Sequence, residues 1–242
     1  MKATSHGQFT TQLTCFPHVF PVNAYLVRQD DGFTLVDTTI PCSATAILAA
    51  ARDLGAPIVR IVLTHAHMDH VGSADALHAA LPGAEVLASV RDARFLTGER
   101  TLDPAETQGK LRGAYSTIQS TPTRLLQDGD RVGSLLVVAS PGHTPGHISL
   151  LDQREGTLIA GDALQTAGGV AVSGIVKPLF PFPAMATWYR PAALESARRL
   201  AALNPERLAV GHGRVIESPR ATIEAAIQEA ERKLEAGASK VA

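Results

Sequence analysis

The 242-residue sequence predicts an α/β protein in which helices cover two packed β-sheets. Apolar runs rich in β-branched residues recur between turn signals in two clusters, one in each half of the chain. Segments with the periodicity of amphipathic helices follow strands in both halves. Because no repeat, low-complexity tract or linker divides the chain, we expect a single domain over residues 1–242.

The first half predicts strands and helices in turn. We expect a strand hairpin at residues 22–27 and 33–38, followed by a helix at 43–54. A buried strand at 58–64, a second helix at 73–81 and a short strand at 85–88 come next. Ser43 is the expected N-cap of the first helix, and Gly55 ends it. Residues 58–64 show almost no polar alternation, which is typical of a strand covered on both faces. The polar segment 91–122, interrupted by proline and glycine, predicts short helices.

The second half predicts another group of strands. They are expected at residues 135–139, 148–152, 157–160 and 208–210, with helices at 191–203 and from 218 onward. Segment 163–187 is rich in glycine and proline and is long for a connection without structure of its own, which is typical of a functional loop. Four large apolar side chains lie in this loop or directly after it, namely Phe180, Phe182, Met185 and Trp188. They could form an apolar wall for a substrate or pin the loop to the core, and the sequence assigns no substrate-binding residue.

Composition excludes several classes of partner. Lys and Arg number 22 against 23 Asp and Glu, without a long basic run, so we expect no nucleic-acid partner. No apolar stretch is long enough to cross a membrane, and the first residues lack a secretory pattern, so we expect no membrane association and a cytoplasmic location. Two cysteines are too few for a disulfide framework. The sequence leaves open whether the protein forms a homo-oligomer.

The strongest motif is THAHMDH at residues 64–70, where an apolar strand ends and a helix begins. Chance would produce such a histidine pattern on the order of once in a thousand sequences of this composition. Alternate side chains of an extended segment point the same way, so His65 and His67 can converge on one ion. Asp69 and His70, at the turn into the helix, can face a neighbouring ion. Imidazole with carboxylate suits zinc or iron better than copper(I), and a merely packed histidine cluster is the alternative.

Three further segments place a possible ligand directly after an apolar strand. They are SPGHTPGH at residues 140–147 with His143, AGD at 160–162 with Asp162, and VGHG at 210–213 with His212. Each is weak alone, but together they put ligand types at the ends of four strands, which is how a rigid scaffold builds a site.

These four motifs, in this order, resemble the ligand-bearing motifs of the metallo-β-lactamase superfamily over about residues 22–217. The resemblance implies an αββα four-layer sandwich, two mixed β-sheets flanked by helices, with a metal site at one edge. It implies that one metal is held by His65, His67 and His143, a second by Asp69, His70 and His212, and that Asp162 bridges them. It also implies that Asp37 supports the site by hydrogen bonding, and that His147 supports it without being a ligand.

This ligand set implies two divalent ions, with Zn²⁺ favoured and iron or manganese as alternatives. Two such ions can share a water and lower its pKa toward neutrality, which yields a hydroxide nucleophile without a serine or cysteine. Asp69 is the catalytic candidate, because it could orient that nucleophile or pass a proton to the leaving group.

The expected reaction is hydrolysis of an ester, lactone or thioester bond in a small-molecule substrate. Glyoxalase II enzymes share all seven ligands but commonly add a helical domain, and lactonases have a similar size. A mononuclear iron persulfide dioxygenase is the alternative from another class. β-Lactam hydrolysis is less favoured because true β-lactamases typically replace the aspartate found here at Asp162. Metal binding without catalysis is disfavoured, since a structural zinc needs four closed ligands, not seven.

Overall fold

The computed structural model describes residues 1–238, and within that range the chain forms fifteen strands and seven helices. The strands are β1 Lys2–His6, β2 Thr10–Cys15, β3 Val22–Gln29, β4 Gly32–Val36, β5 Ile58–Leu63, β6 Glu85–Ser89, β7 Arg124–Leu126, β8 Arg131–Val132, β9 Leu135–Ala139, β10 Ile148–Asp152, β11 Thr157–Ile159, β12 Leu164–Gln165, β13 Ala171–Val172, β14 Arg207–Ala209 and β15 Ile216–Glu217. The helices are α1 Ala44–Asp53, α2 Met68–Val71, α3 Ala74–Ala80, α4 Val90–Leu96, α5 Phe182–Met185, α6 Arg190–Ala202 and α7 Arg220–Ala238.

Two large mixed sheets form the centre of the fold. The first contains β1 to β7 in chain order, antiparallel from β1 to β4 and parallel from β4 to β7. The second has the order β15-β14-β11-β10-β9-β8, in which only the β11–β14 pair is parallel. Strands β12 and β13 form a separate small hairpin.

Three hydrophobic clusters show how the layers pack. One lies between the two sheets, where Tyr25 and Val62 of the first meet Val137 and Leu150 of the second. A second cluster packs α1, α3 and α4 on the outer face of the first sheet. A third packs α6 and α7 on the outer face of the second sheet. Burial of a sheet on both faces explains the continuous apolar strands, and the expected αββα four-layer sandwich is confirmed.

Most of the predicted elements are present near their predicted positions. The hairpin is β3 and β4, the buried strand is β5, and the strands of the second half are β9, β10, β11 and β14. Ser43 is the residue that precedes α1, although its side chain makes no capping hydrogen bond. Among residues 1–238, no helix is long and apolar enough to cross a bilayer.

Two long segments differ from expectation. Of the short helices expected in segment 91–122, α4 is present. Residues 97–123 contain no helix or strand. They are held instead by contacts such as Asp75, whose carboxylate accepts hydrogen bonds from the backbone of Gln119 and Ser120 at 2.8 to 2.9 Å. Segment 163–187 is not structureless, because it contains β12, β13 and α5.

Strands β1 and β2 were not predicted. Strand β2 reads TTQLTC and is polar, yet five of its six residues are buried. Its polar side chains find partners inside the protein: Thr14 Oγ1 donates to Asn23 Oδ1 at 2.8 Å, and Gln12 Nε2 donates to the carbonyl of Gly213 at 2.9 Å. Buried polar groups are tolerated when they are hydrogen-bonded in this way, but one partner lies on the next strand and the other in the second half of the chain.

Candidate metal centre

Four loops that follow strands meet at one edge of the two sheets. The loop after β5 enters α2, and His67 immediately precedes that helix with an extended backbone (φ −80°, ψ 147°). The loops after β9, β11 and β14 carry His143, Asp162 and His212. The structure therefore brings together all seven residues that the sequence proposed as metal ligands, in three overlapping groups whose ligand atoms lie within 4.8 Å of one another.

The first group is formed by His65, His67 and His143. His67 Nδ1 and His143 Nε2 face each other at 3.0 Å. The nitrogens on the far sides of the three rings are all engaged. His65 Nδ1 lies 3.0 Å from Thr64 Oγ1, His67 Nε2 donates to the carbonyl of Arg112 at 3.0 Å, and His143 Nδ1 lies 2.9 Å from Ser173 Oγ. Such partners fix the ring orientation and tautomer of ligand histidines.

The second group is formed by Asp69, His70 and His212. His212 Nε2 lies 3.3 Å from Asp69 Oδ2, and its Nδ1 donates to the carbonyl of Pro21 at 2.8 Å. The side chain of Asp69 is 26% exposed, whereas those of His70 and His212 are buried. This group therefore opens toward solvent on the side of Asp69.

Asp162 lies between the two groups. Its Oδ2 is 3.4 Å from His143 Nε2 and 3.2 Å from His212 Nε2, and its Oδ1 is 3.4 Å from His70 Nε2. Three buried atoms here, His65 Nε2, His70 Nε2 and Asp162 Oδ1, have no hydrogen-bond partner. Buried polar atoms without partners are rare in proteins, and convergent imidazole and carboxylate donors fit a divalent ion of the zinc or iron type. The residues thus fit a metal centre.

The two groups differ in their electrostatics. Burial, together with the neighbouring histidines, holds the pKa values of His65 and His143 well below the usual value, and burial lowers the pKa of His67 to about 4. Burial opposes charge on His212 as well, but the carboxylates of Asp162 and Asp69 raise its pKa to about 10. The first group is therefore neutral imidazole, whereas the second pairs imidazolium with carboxylate in the absence of a metal.

Asp37 supports the second group. Its backbone is left-handed at φ +60°, a conformation that aspartate tolerates better than most residues. The carboxylate accepts hydrogen bonds from the backbone and the hydroxyl of Thr64, both at 2.8 Å, and from His70 Nδ1 at 2.7 Å. It thereby connects the end of β5 with α2 and orients the ring of His70.

His147 lies behind the centre and uses both ring nitrogens. Its Nδ1 is 2.9 Å from Ser140 Oγ, and its Nε2 accepts the backbone N–H of Asp162 at 3.0 Å. Burial lowers the pKa of His147 to about 3, so the ring is neutral. With both nitrogens engaged, this histidine positions Asp162 from behind.

Close packing at the centre leaves no room at Gly211. A Cβ built on this residue would lie 2.1 Å from Asp162 Oδ1 and 2.6 Å from His70 Cε1. The glycine beside His212 therefore permits the backbone to approach the two neighbouring ligand candidates.

Sequence reasoning missed one buried residue beside the centre, Asp92 of α4. Its carboxylate accepts hydrogen bonds from Ala66 and from the loop that carries His143. The available signal was the Ser89-x-x-Asp92 pattern of a helix N-terminus, and Ser89 Oγ does accept from the backbone of Asp92 at 3.0 Å. A capping pattern alone does not reveal what the aspartate side chain contacts.

The four large apolar side chains in and directly after segment 163–187 have different environments. Phe180 is buried and packs against Phe20 and the ring of His212, with centroid distances of 5.1 and 5.4 Å. Phe182 and Met185 are exposed, and Trp188 is half-buried. Both readings from the sequence therefore apply to different residues, since Phe180 pins the loop while Phe182 and Met185 face solvent.

A four-layer αββα sandwich with a buried histidine and aspartate cluster at the sheet edge defines a class of metal-binding enzyme folds. The chain belongs to the metallo-β-lactamase superfamily, whose sequence model matches residues 18–212. This superfamily consists of metallo-hydrolases and their relatives, in agreement with the resemblance seen in the motifs.

Individual relatives support the same assignment. The chain is 48% identical to the uncharacterized protein YobT of Bacillus subtilis over 96% of this chain and 100% of that protein. It is 31% identical to the probable metallo-hydrolase YflN of Bacillus subtilis over 79% of this chain and 80% of YflN. It is 33% identical to a hydroxyacylglutathione hydrolase of Gloeobacter violaceus over 60% of this chain and 50% of that enzyme. Thus the chain matches only about half the length of the last relative.

A solved structure agrees with the fold. TTHA1623, determined in a di-iron-bound form, superposes with a TM-score of 0.64 at 29% identity, over 86% of this chain and 95% of that one.

Proposed function

We propose that this protein is a dinuclear metal-dependent hydrolase that cleaves an ester, lactone or thioester bond in a small-molecule substrate. The observation that carries the proposal is the placement of Asp162, whose carboxylate faces His143 of the first group and His70 and His212 of the second at 3.2 to 3.4 Å. A single ion with a closed set of ligands would need only four donors, whereas donors from seven residues converge here. His65, His67 and His143 would hold one ion, and Asp69, His70 and His212 the other.

The donor set favours Zn²⁺ at both positions, with iron or manganese as alternatives. Zinc is commonly bound by imidazole and carboxylate, and the same ligands also suit iron. The relative TTHA1623 has been seen with two irons, so the element must be measured.

When bound, two divalent ions supply Lewis acidity and lower the pKa of water enough for it to attack an acyl carbon near neutral pH. The residues of the chain then have separate tasks. Asp162 and the histidines are buried and held by hydrogen bonds, which keeps their positions fixed. Asp69 is the ligand candidate with solvent access, at 26% side-chain exposure against 4% for Asp162. We assign Asp69 the relay of a proton: its carboxylate would accept the proton that the attacking water gives up and pass it to the leaving group, because it lies on the solvent-exposed side of the centre.

A pocket of about 550 Å³ lies behind the first group, on the side of its far ring nitrogens, and none of the seven ligand candidates is among its lining residues. It is lined by Arg112, whose carbonyl binds His67, and by Thr187, whose hydroxyl lies 3.4 Å from His143 Nδ1. Met185 and Val176 supply its exposed apolar side. The ester, lactone or thioester class of substrate is therefore proposed from the metal chemistry and from the similarity to a hydroxyacylglutathione hydrolase, not from this pocket.

The proposal is tested by metal analysis combined with a substrate panel. Protein prepared without added metal is analysed for zinc, iron and manganese, and then assayed with lactones, glutathione thioesters and aryl esters of matched acyl length. We expect close to two ions per chain and turnover of at least one ester class. Asp75→Asn is the matched control, since Asp75 binds the 119–120 loop away from the centre. Two bound ions with no turnover of any class would contradict the hydrolase proposal.

A mononuclear iron oxidoreductase of the persulfide dioxygenase type is the second candidate. One observation favours it: His65, His70 and Asp162 form a compact group of two histidines and one carboxylate, a ligand set typical of non-haem iron. A single iron per chain, with oxygen consumption on a glutathione persulfide, would support this candidate over the hydrolase.

A further inference from the structure

Asp92 lies at the start of α4, and its side chain is fully buried behind the first group of histidines. Its own backbone N–H donates to Ser89 Oγ at 3.0 Å, which ties the carboxylate to the first turn of the helix. The helix packs against β6 and β7. Asp92 is therefore attached to a rigid part of the first sheet and its covering helix.

The carboxylate connects two loops that are distant in the sequence. Oδ2 accepts the backbone N–H of Ala66 at 3.0 Å and the hydroxyl of Thr144 at 2.8 Å, while Oδ1 accepts the backbone N–H of Gly146 at 2.8 Å. Ala66 lies between His65 and His67, and Thr144 directly follows His143. One side chain thus joins the two loops that carry all three histidines of the first group.

The second loop is also held through Gly146. Ser89 Oγ donates to the carbonyl of Gly146 at 2.6 Å, so both sides of this residue are bound by the first turn of α4. A Cβ on Gly146 would lie 2.4 Å from the backbone nitrogen of Asp92. The absence of a side chain at Gly146 is what allows this contact.

Only a carboxylate satisfies the arrangement. Two of the three donors are backbone N–H groups that cannot accept a hydrogen bond, so an asparagine amide would leave one of them facing an NH₂ group. The neighbouring Arg91 pairs with Asp103 and Glu106, and among residues 1–238 Asp92 forms no ion pair. Burial raises the pKa of Asp92 to about 6 against the opposing effect of its donors. A buried, unpaired carboxylate is costly for a protein to keep.

We propose that Asp92 is the positioning residue of the first metal, and that it sets the distance between the His65 and His67 pair and His143. The inference rests on the proposed metal centre. Asp92 does not contact the second group, whose His70 is held by Asp37. Its loss therefore weakens one metal and spares the other.

The test is a zinc titration of metal-free protein against a competing chelator, with the number of ions and their affinities as readouts. In Asp92→Asn we expect one of two zinc ions to bind about 10 to 100 times more weakly, as for other residues that orient ligands. Asp75→Asn is the matched control, because Asp75 likewise accepts two backbone N–H groups and a hydroxyl but holds residues 119–120. It should keep both affinities even if its thermal midpoint falls.

A double-mutant cycle locates the affected ion. In a His143→Ala background the first metal is already lost, so adding Asp92→Asn should not reduce zinc binding further. In a His212→Ala background the same change should remove most of the remaining affinity. Equal effects in both backgrounds, or unchanged zinc binding in Asp92→Asn, would overturn the proposal.

Two outcomes are kept separate by these measurements. If wild-type protein holds one zinc, the dinuclear proposal fails, and the Asp92 proposal is still decided by whether that ion is weakened. If Asp92→Asn does not fold, Thr144→Val removes one of the three hydrogen bonds and should weaken the first metal by a smaller factor; no change would overturn the role.

Discussion

The metal-ligand cluster and the rim segment at residues 176–188 are neighbours with opposite properties. In the cluster, the histidine rings are buried and each has its far nitrogen bound by a protein group. In the rim, Leu179 is 86%, Met185 64% and Phe182 50% exposed. The cluster is built for fixed geometry, whereas the rim offers free apolar surface. The difference suggests that chemistry and substrate choice reside in separate parts of the molecule and respond differently to mutation.

The largest effect is expected at the point where the two groups meet. Asp162→Ala removes the carboxylate that faces three histidines at 3.2 to 3.4 Å. We expect a fall in kcat on the order of 10³-fold, together with loss of at least one metal, because the site loses both a ligand and its charge. Turnover and metal content are measured on the same preparation. Retention of two ions with full turnover would contradict the assignment of Asp162.

A smaller but still large effect is expected at Asp37. Asp37→Asn keeps a residue that tolerates the left-handed backbone, but its amide cannot accept from Thr64 and His70 as a carboxylate does. We expect kcat or metal affinity to fall about 10 to 100-fold with KM little changed. An unchanged zinc affinity and unchanged kcat would show that the ring of His70 needs no carboxylate partner.

Rigidity of the cluster can be tested without touching a ligand. Gly146→Ala should destabilise the metal-free protein by about 1 to 3 kcal/mol, because the new methyl group meets the backbone of Asp92. Gly83→Ala is the matched control, since a Cβ there has nothing within 4 Å. Chemical denaturation of both variants provides the comparison. Equal stabilities would indicate that the loop yields more easily than its packing suggests.

The smallest effect is expected at the rim, and among the kinetic constants it should appear in KM alone. Phe182→Ser removes a half-exposed ring. We expect KM for an apolar ester to rise about fivefold, because about half of the free energy of burying a phenyl ring on substrate binding is lost. The value of kcat should not change, whereas the thermal midpoint should fall slightly, because the ring also packs against Phe20 and Phe180 at centroid distances of 5.0 and 5.3 Å. Leu125→Ser, at an exposed leucine of β7, is the control. A fall in kcat in Phe182→Ser would remove the distinction between rim and cluster.

Much of the fold and all seven ligand candidates could be predicted because their signals are local. A local sequence pattern identifies the motif at residues 64–70 and the strand-end residues His143, Asp162 and His212. The same holds for the apolar strands that precede them. These segments combine a strong periodic pattern with turn residues. That agreement between local signals makes strand-to-loop junctions visible in a single sequence.

The resemblance named Asp37 and His147 as supporting residues, but the carbonyl partners of two ligand candidates could not be predicted, because they come from distant segments. His67 and His212 bind the carbonyls of Arg112 and Pro21, and any residue presents a carbonyl. The polar strand β2 was missed for a similar reason, since its partners lie elsewhere in the fold. The role of Asp92 was hidden because a helix-capping pattern does not distinguish a capping aspartate from one that joins two loops.

The two carbonyl partners have a practical consequence for engineering. Because Arg112 and Pro21 act through main-chain oxygen, the side chain at position 112 can be exchanged while the acceptor for His67 remains in place. A combinatorial library at position 112 and at the exposed positions 176, 179, 182 and 185 could therefore search for new substrates while the histidine and aspartate cluster stays unchanged. Insertions or deletions next to these two carbonyls would instead displace a histidine, so such a library should vary residue identity and keep loop length constant.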